Sequence, residues 1–280
     1  MKNRPADRSR RSVRRCAVCG TFYPAGQTEL TATIDRLIAD IPPSGPERIR
    51  GIIAPHAGYI YSGPTAASAY GRLRGSAYDA VVIVSPSHRE YFDGVSVFDG
   101  DAYQTPLGVV DVNGELRRRL LEECQDVVAS SAGHGTEHAV EVHLPFLQRV
   151  LGEFSFLPLV IGHQTPETCF TLGEAIARMA AEKNLLLVAS TDLSHFYPAE
   201  TALRLDAIVI EDVRAFDARG LMLHLEEGKA EACGGGPVVA VMTALRRLGS
   251  SRMDVLQYAT SGDVTGDYGS VVGYLGAVAL

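Results

Sequence analysis

The fold of this chain is most constrained by the alternation of short hydrophobic segments with longer segments of helical periodicity. The short segments are rich in Val, Ile and Leu and are followed by amphipathic or apolar stretches. The short segments are residues 49–54, 80–85, 154–161 and 185–190, and the helical ones are residues 64–73, 166–181 and 199–215. Parallel strands need a crossover that is usually a helix, so this order is typical of βαβ units. It predicts an α/β fold: a single-domain sandwich around a central mixed, mainly parallel sheet, with helices on both faces.

The domain boundaries follow from length and charge. A chain of 280 residues can form one large α/β domain, and no Gly/Ser-rich linker divides it. The first fifteen residues carry seven Lys or Arg against one Asp. Such a block of like charge is typical of a solvated segment. We therefore predict a disordered basic tail at residues 1–14 and one α/β domain at residues 15–280.

Local signals also mark element ends. Pro64, Pro166 and Pro237 are each predicted to occupy the first position of a helix, where a missing N–H costs nothing. Residues 269–280 alternate Val, Tyr and small residues and are predicted to form the last strand.

Composition argues against several classes of protein. No apolar run approaches the roughly 18 residues that cross a bilayer, and the basic N-terminus lacks the apolar segment of a secretory signal. We therefore predict a cytoplasmic protein without membrane association. The whole chain carries a net charge of −7 despite its basic start, so the folded part is acidic. Nucleic-acid binding is not expected, because it depends on clustered Lys and Arg.

The five cysteines form an odd set, which does not indicate a disulfide framework. We therefore expect free thiols. Cys16-x-x-Cys19 is a single pair without a second pair downstream, which is a weak zinc signal, and a redox role is the other interpretation.

Four ionisable side chains follow predicted strands. His56 follows residues 49–54, His88 follows residues 80–85, and Asp192 and His195 follow residues 185–190. Ligands of open α/β sheets bind beyond the carboxyl ends of the strands. Neutral imidazoles are good ligands for Fe, Cu or Zn, so the two histidines predict a metal site. The alternative for each histidine alone is a hydrogen-bonded loop residue.

Cys233 precedes Gly234, Gly235, Gly236 and Pro237, and an apolar helical segment follows. A thiol before a helix has its thiolate stabilised by the helix dipole, and both a metal ligand and a nucleophile require a thiolate. The alternative is a buried structural cysteine.

Two further groups of polar residues lie near these positions. Asp192 and His195 are three residues apart, so the carboxylate could orient the imidazole as a base, although helix N-capping is the alternative. His138, Glu141 and His143 form a dense cluster that matches neither the HExxH nor the HxxEH zinc motif. We interpret that cluster as pocket lining or as structural.

Six motifs in a fixed order resemble the Memo family, whose prokaryotic members are called AmmeMemoRadiSam system protein B. The resemblance spans the chain from about Arg15 to the C-terminus. The motifs are Gly20-Thr21-Phe22-Tyr23-Pro24, Ala54-Pro55-His56-Ala57-Gly58-Tyr59-Ile60-Tyr61-Ser62-Gly63, Pro86-Ser87-His88, Glu137-His138-x-x-Glu141-x-His143-Leu144-Pro145-Phe146, Ser190-Thr191-Asp192-x-x-His195-Phe196 and Cys233-Gly234.

The resemblance implies a fold similar to the catalytic subunit of class III extradiol dioxygenases, which are non-haem Fe(II) enzymes. It implies His56, His88 and Cys233 as metal ligands, with Cys233 in place of a carboxylate, and Asp192 and His195 in the same pocket. The implied metal is Fe(II) or Cu, with Zn as a third candidate. Prokaryotic members are associated with radical-SAM and AMMECR1-type proteins, and no settled reaction comes with the family.

One departure from the family pattern concerns Cys16 and Cys19. They stand where the family usually has a Pro and a small residue such as Ala. A role for this pair therefore does not follow from the resemblance.

Three functional hypotheses follow. The first is a metal-dependent oxidoreductase, dioxygenase-like, in which His195 carries protons and Asp192 orients it, acting on an unidentified small molecule or peptide. The second is a hydrolase or transferase with Cys233 as nucleophile, activated by His195 or His56. The third is a non-catalytic module that recognises a peptide or protein through Tyr59, Tyr61 and the ionisable groups.

Overall fold

The computed structural model describes residues 11–45 and 48–280. Within these residues the strands are β1 (Val13–Arg14), β2 (Gly51–Ala54), β3 (Ala80–Pro86), β4 (Val95–Phe98), β5 (Ala102–Thr105), β6 (Gly108–Val112), β7 (Val127–Ser130), β8 (Ser155–Ile161), β9 (Leu185–Ser190), β10 (His195–Tyr197), β11 (Met253–Thr260) and β12 (Val271–Ala279). The helices are α1 (Gln27–Ile38), α2 (Tyr59–Tyr70), α3 (Gly114–Glu123), α4 (Leu144–Leu151), α5 (Pro166–Ala180), α6 (Ala199–Ala215), α7 (Ala218–Glu226), α8 (Gly235–Arg247) and α9 (Gly262–Thr265). Short 3-10 turns lie at Gly71–Leu73 and Glu141–His143.

The described strands form one mixed sheet, in the order β1-β5-β6-β8-β3-β9-β2-β12-β10. The central strands β6, β8, β3, β9 and β2 run parallel to one another. Antiparallel pairs flank them, β5 with β6 on one side and β2 with β12 on the other. β11 pairs with β12, and β4 joins β8 to β7. The predicted α/β fold with a mixed, mainly parallel sheet is confirmed.

The sheet separates two hydrophobic cores. In β3, Val82 and Val84 enter one core, whereas Val81 and Ile83 enter the other. This alternation follows from the two-residue period of a strand, and a strand covered on both faces is continuously hydrophobic. Helices α3, α5, α6, α7 and α8 contribute to the first core, and α1, α2 and α4 contribute to the second. Helices therefore cover both faces of the central strands, and the loops at the strand ends extend from this packed part of the sheet.

The helix starts agree with the sequence at one proline and differ at two. α5 begins at Pro166, and Thr165 caps it by accepting from the backbone N–H of Thr168 at 3.1 Å. α2 instead begins at Tyr59, so Pro64 lies inside the helix, and α8 begins at Gly235, so Pro237 is its third residue. The first-position predictions for Pro64 and Pro237 were therefore wrong. Pro237 still lies in the first helical turn, where backbone N–H groups have no intrahelical acceptor.

Within the described part of the chain, regular structure begins at Val13, before the predicted start of the domain at residue 15. Residues 1–10 lie outside the described residues, but β1 pairs in parallel with β5. The Arg14 side chain is buried, and its guanidinium lies 2.5 Å from Glu141 and 4.5 Å from the centre of the Tyr103 ring. The predicted tail of residues 1–14 therefore extends too far. A run of arginines resembles a solvated tail, but one of them has a buried carboxylate as its partner.

No helix in the described ranges combines the length and the hydrophobicity that a membrane crossing requires.

Candidate metal centre

The ends of three neighbouring parallel strands carry the predicted site. β3, β9 and β2 are adjacent and run in the same direction. His56 comes two residues after the end of β2, His88 two residues after β3, and Asp192 two residues after β9. The shared direction brings these loops to one edge of the sheet.

Three histidines converge at this edge. The ring centres of His56, His88 and His138 are 5.0, 5.3 and 4.9 Å apart, so the rings form a nearly equilateral triangle. One donor atom from each lies within 4.8 Å of the others, which makes them a candidate metal-binding group among the described residues. The accessible fraction of the side chain is 2% for His56, 12% for His138 and 29% for His88. The cluster therefore opens towards solvent on the His88 side.

A buried carboxylate positions two of these histidines. Glu137 Oε1 accepts from His88 Nδ1 at 3.0 Å and from the His138 backbone N–H at 2.8 Å, and Glu137 Oε2 accepts from the His88 backbone N–H. His138 Nδ1 lies 3.1 Å from Glu137 Oε1 but makes no hydrogen bond with the described residues. Burial alone would raise the pKa of Glu137, but hydrogen bonds from His138 and His88 hold it well below its usual range. An ionised carboxylate only accepts, so we assign the Nδ1–H tautomer to His88. The Nε2 lone pair of His88 is then free for a metal.

Ser190 fixes the tautomer of the third histidine. Its hydroxyl donates to the carbonyl of Ala139 at 2.7 Å, and its oxygen lies 2.7 Å from His56 Nδ1. A hydroxyl has one hydrogen, and the carbonyl can only accept, so Ser190 must accept from Nδ1–H of His56. Burial lowers the pKa of His56 well below its usual value, and protonation of His88 or His138 beside it would lower that pKa further. His56 is thus neutral, with its lone pair on Nε2.

Cys233 adjoins this cluster. Its Sγ lies 3.2 Å from His56 Nε2, and the Asp192 backbone N–H donates to Sγ at 3.3 Å. Burial, followed by the charge of Asp192, raises the pKa of the thiol. The expectation of a thiolate stabilised by the helix was therefore wrong for the protein without a metal, because burial and a nearby carboxylate outweigh the helix dipole.

Gly234 allows the loop of Cys233 to approach β9 closely. A Cβ atom at Gly234 would lie 2.0 Å from the carbonyl oxygen of Ser190. A side chain at this position would therefore push Cys233 away from the strand end.

Asp192 contacts His56 rather than His195. It accepts from the His56 backbone N–H at 2.8 Å, and its Oδ2 lies 3.9 Å from His56 Nε2. His195 lies at the start of β10, where its backbone N–H donates to Glu231 at 3.3 Å. The predicted hydrogen-bonded orientation of His195 by Asp192 is not found among the described residues, because the loop after β9 turns the carboxylate towards the loop after β2.

Three further residues predicted to line the pocket are buried and form hydrogen bonds within the protein. The Tyr59 hydroxyl donates to the carbonyl of Val142 at 2.6 Å. Glu141 is fully buried and accepts from Arg14 and from the backbone N–H groups of Ala17 and Val18. His143 is buried, with its Nδ1 2.8 Å from the Tyr70 hydroxyl. None of these contacts is made with His56, His88 or His138.

Glu137 and Ser190 had no predicted supporting role, and His138 was predicted to line the pocket or to be structural. The only sequence signal was that Glu137 and His138 are adjacent in a motif rich in carboxylates and histidines. Their position opposite β3 and β9 depends on tertiary packing.

Two buried histidines predict a pH dependence of stability. Burial lowers the pKa of His134 and of His143 to about 3. The unfolded chain then binds more protons between pH 6.5 and about 3, so the free energy of unfolding falls as pH falls, by up to about 1.4 kcal/mol per pH unit for each histidine. Urea titrations between pH 5 and 6.5 should give a shallower fall for His134→Gln and an unchanged fall for the exposed control His163→Gln. Equal slopes in all three proteins would contradict this assignment.

The fold and the site define an α/β protein with a candidate metal centre beyond the ends of its central parallel strands. A protein-family model described as "Memo-like protein" matches residues 14–278. The chain is 39% identical over 274 residues to a MEMO1 family protein of Methanopyrus kandleri, covering 94% of this chain and 97% of that one. It is 38% identical over 269 residues to a MEMO1 family protein of Aquifex aeolicus, covering 96% and 99%. The chain belongs to the Memo family.

A solved structure has a similar fold. An uncharacterized protein of Escherichia coli K12 superposes with a TM-score of 0.55 at 17% identity, covering 81% of this chain and 99% of that one. At this identity the likeness supports the fold alone.

Proposed function

We propose that this protein binds one Fe(II) or Cu ion at His56, His88 and a third ligand, and acts as an oxidoreductase on a small molecule or peptide. The observation that carries the proposal is the convergence of three imidazoles, two of which, His56 and His88, have Nδ1 hydrogen-bonded to a side-chain oxygen. Metal-binding histidines are characteristically held in this way by an outer hydrogen bond.

The chemistry of the donors fits a first-row metal. Neutral imidazoles suit Fe, Cu and Zn, and three ligands from one side leave coordination positions open. Cys233 Sγ is 3.2 Å from His56 Nε2, so it is the alternative third ligand to His138 or a fourth. A bound Fe or Cu would supply Lewis-acid and redox chemistry. The family resemblance favours Fe(II) or Cu over Zn.

The surrounding residues have separate roles in this proposal. Asp192 holds the loop of His56 through its backbone N–H. His195, half-buried on β10, remains the proposed proton carrier between solvent and the centre. Association with radical-SAM and AMMECR1-type proteins, and a cytoplasmic location, are proposed from the resemblance and the sequence alone.

The Cys233 nucleophile is the weaker alternative, because burial raises the pKa of its thiol and disfavours the thiolate that attack requires. A binding module has one observation in its favour. Exposed aromatic side chains follow the histidines of the site in sequence, with accessible fractions of 41% for Tyr61, 80% for Tyr91 and 74% for Phe196. Capture of a peptide by a His56/His88 double variant as strong as capture by the wild type would favour this module.

Metal analysis after purification without air tests the proposal and identifies the third ligand. We expect near-stoichiometric Fe or Cu in the wild type and loss of that metal in Cys233→Ser if Cys233 is a ligand. His138→Ala should lose the metal if His138, rather than Cys233, is the third ligand. The matched control is His163→Ala, since His163 is exposed on the loop after β8.

The outcomes separate the assignments. Full metal content in Cys233→Ser would remove Cys233 from the ligand set and leave the three histidines. A wild-type protein that takes up no Fe or Cu when loaded without air would overturn the proposed function.

A further inference from the structure

The pair Cys16 and Cys19 forms a disulfide, with 5.8 Å between the two Cα atoms. The expectation of free thiols was wrong for these two residues. Cys124, Cys169 and Cys233 are free. Among the described residues there is therefore one disulfide, and it has no role in the proposed metal chemistry.

The disulfide lies in a segment at the protein surface. Cys16 and Cys19 are both half-buried, and Arg15, Ala17 and Gly20 beside them are exposed. We therefore expect a reductant to reach the pair while the domain stays folded. Burial by contrast raises the pKa of Cys124 and of Cys169, so these thiols are poor partners for exchange.

The segment that carries the disulfide is tied to the candidate centre. The backbone N–H groups of Ala17 and Val18 donate to Glu141 at 2.7 and 3.1 Å. The ring of Phe22 lies 4.7 Å from the ring of His138. The carbonyl of Phe22 accepts from the backbone N–H of Tyr59 at 2.7 Å, at the start of the helix that follows the His56 loop.

A disulfide across four residues restrains the turn that leads to Phe22. The carbonyl of Val18, between the two cysteines, accepts from the backbone N–H groups of Thr21 and Phe22 at 3.1 and 2.9 Å. Opening the S–S bond removes a covalent restraint on this turn and increases the number of conformations it can adopt. Phe22 contacts His138, so we expect the greater freedom of the turn to alter the surroundings of the His138 ring.

We propose that Cys16 and Cys19 are a reversible dithiol/disulfide site for a dithiol reductant, and that its oxidised form holds Phe22 against His138. In the reaction, one thiolate of the reductant attacks Cys16 or Cys19, and a mixed disulfide forms. The second reductant thiolate then displaces the remaining cysteine. Two electrons and two protons pass from the reductant to the pair, and the reductant leaves as a disulfide.

The predicted cytoplasmic location supports a reversible role. Disulfides in reducing compartments are usually transient and catalytic or redox-sensing, rather than structural. The effect on metal binding rests on the proposed function, whereas the exchange reaction does not.

The full chain is equilibrated in mixtures of reduced and oxidised dithiothreitol. The reaction is then quenched, free thiols are alkylated, and the peptides are analysed by mass spectrometry. We expect Cys16 and Cys19 to gain two alkyl groups together as the ratio of reductant rises, reversibly, while the protein stays folded by circular dichroism. A disulfide that opens only on unfolding, or thiols that oxidised dithiothreitol does not close, would overturn the proposal. Neither readout depends on a metal, so failure here is distinct from failure of the proposed function.

Side-chain NMR of the histidines tests the coupling. Reduction, and the Cys16→Ser/Cys19→Ser double variant, should shift the imidazole signals of His138 in the same direction and leave those of the exposed His163 unchanged. Fe or Cu loss to a chelator should then be faster by roughly 10-fold, the lower range for outer contacts of metal ligands. Cys124→Ser, a buried and unpaired cysteine, is the matched control. Unchanged His138 signals would overturn the coupling.

Discussion

Glu141→Gln is expected to lower the free energy of unfolding by about 3–5 kcal/mol, because it leaves the buried guanidinium of Arg14 without its counter-charge. The accessible fraction is 5% for Arg14 and 0% for Glu141. Glu141 also accepts from Ala17, Val18 and Tyr23, and an amide cannot accept from all four donors with both of its heavy atoms. Urea unfolding at pH 7, monitored by circular dichroism, measures the difference.

The exposed pair Arg118–Glu122 provides the matched control. Both of its side chains are more than half accessible, at 64% and 62%. Glu122→Gln makes the same chemical change in solvent and is expected to cost no more than about 0.5 kcal/mol. Similar costs for Glu141→Gln and Glu122→Gln would show that the Arg14–Glu141 pair does not stabilise the fold.

Glu137→Gln is expected to weaken Fe or Cu binding by roughly 10- to 100-fold, the range for outer partners of metal-binding histidines. The carboxylate accepts from Nδ1 of His88 and from the backbone N–H groups of His88, His138 and Ala139. A glutamine has one accepting oxygen, and its NH₂ group would face an N–H, so the imidazole of His88 or the backbone at His138 must move. Competition with a chelator of known affinity, without air, measures the change.

Glu90→Gln is the control for this second prediction. Glu90 is exposed and lies two residues after His88, so the substitution makes the same change in the same loop. Nitrogen chemical shifts of the imidazoles provide a readout that does not depend on metal: we expect an altered tautomer at His88 in Glu137→Gln alone. Metal affinity equal in the two variants would contradict the role assigned to Glu137.

The central part of the fold could be predicted because its signals are local. Residues 185–190 and 199–215 match β9 and α6 at both ends, since a continuous apolar run and a long amphipathic period identify a buried strand and a surface helix. The strands β4 and β7 and the hairpin of β5 and β6 were not predicted. They are short, and their pairing depends on partners far along the chain.

Part of the site could be predicted because some of its signals are also local in the sequence. His56, His88 and Asp192 follow strands, and parallel strands bring their ends together. His138 and Glu137 lie in a long connection between β7 and α4, so only packing reveals that they meet His88. The disulfide of Cys16 and Cys19 was missed because a cysteine count does not report which thiols are neighbours.

The graded exposure of the three histidines has a stereochemical consequence. His56 is enclosed, His138 is nearly so, and accessible surface remains mainly at His88. Any reactant at this centre would therefore arrive from one hemisphere, with the opposite hemisphere filled by protein. A prochiral reactant held there would present a single face, so the product of such a reaction should have one handedness.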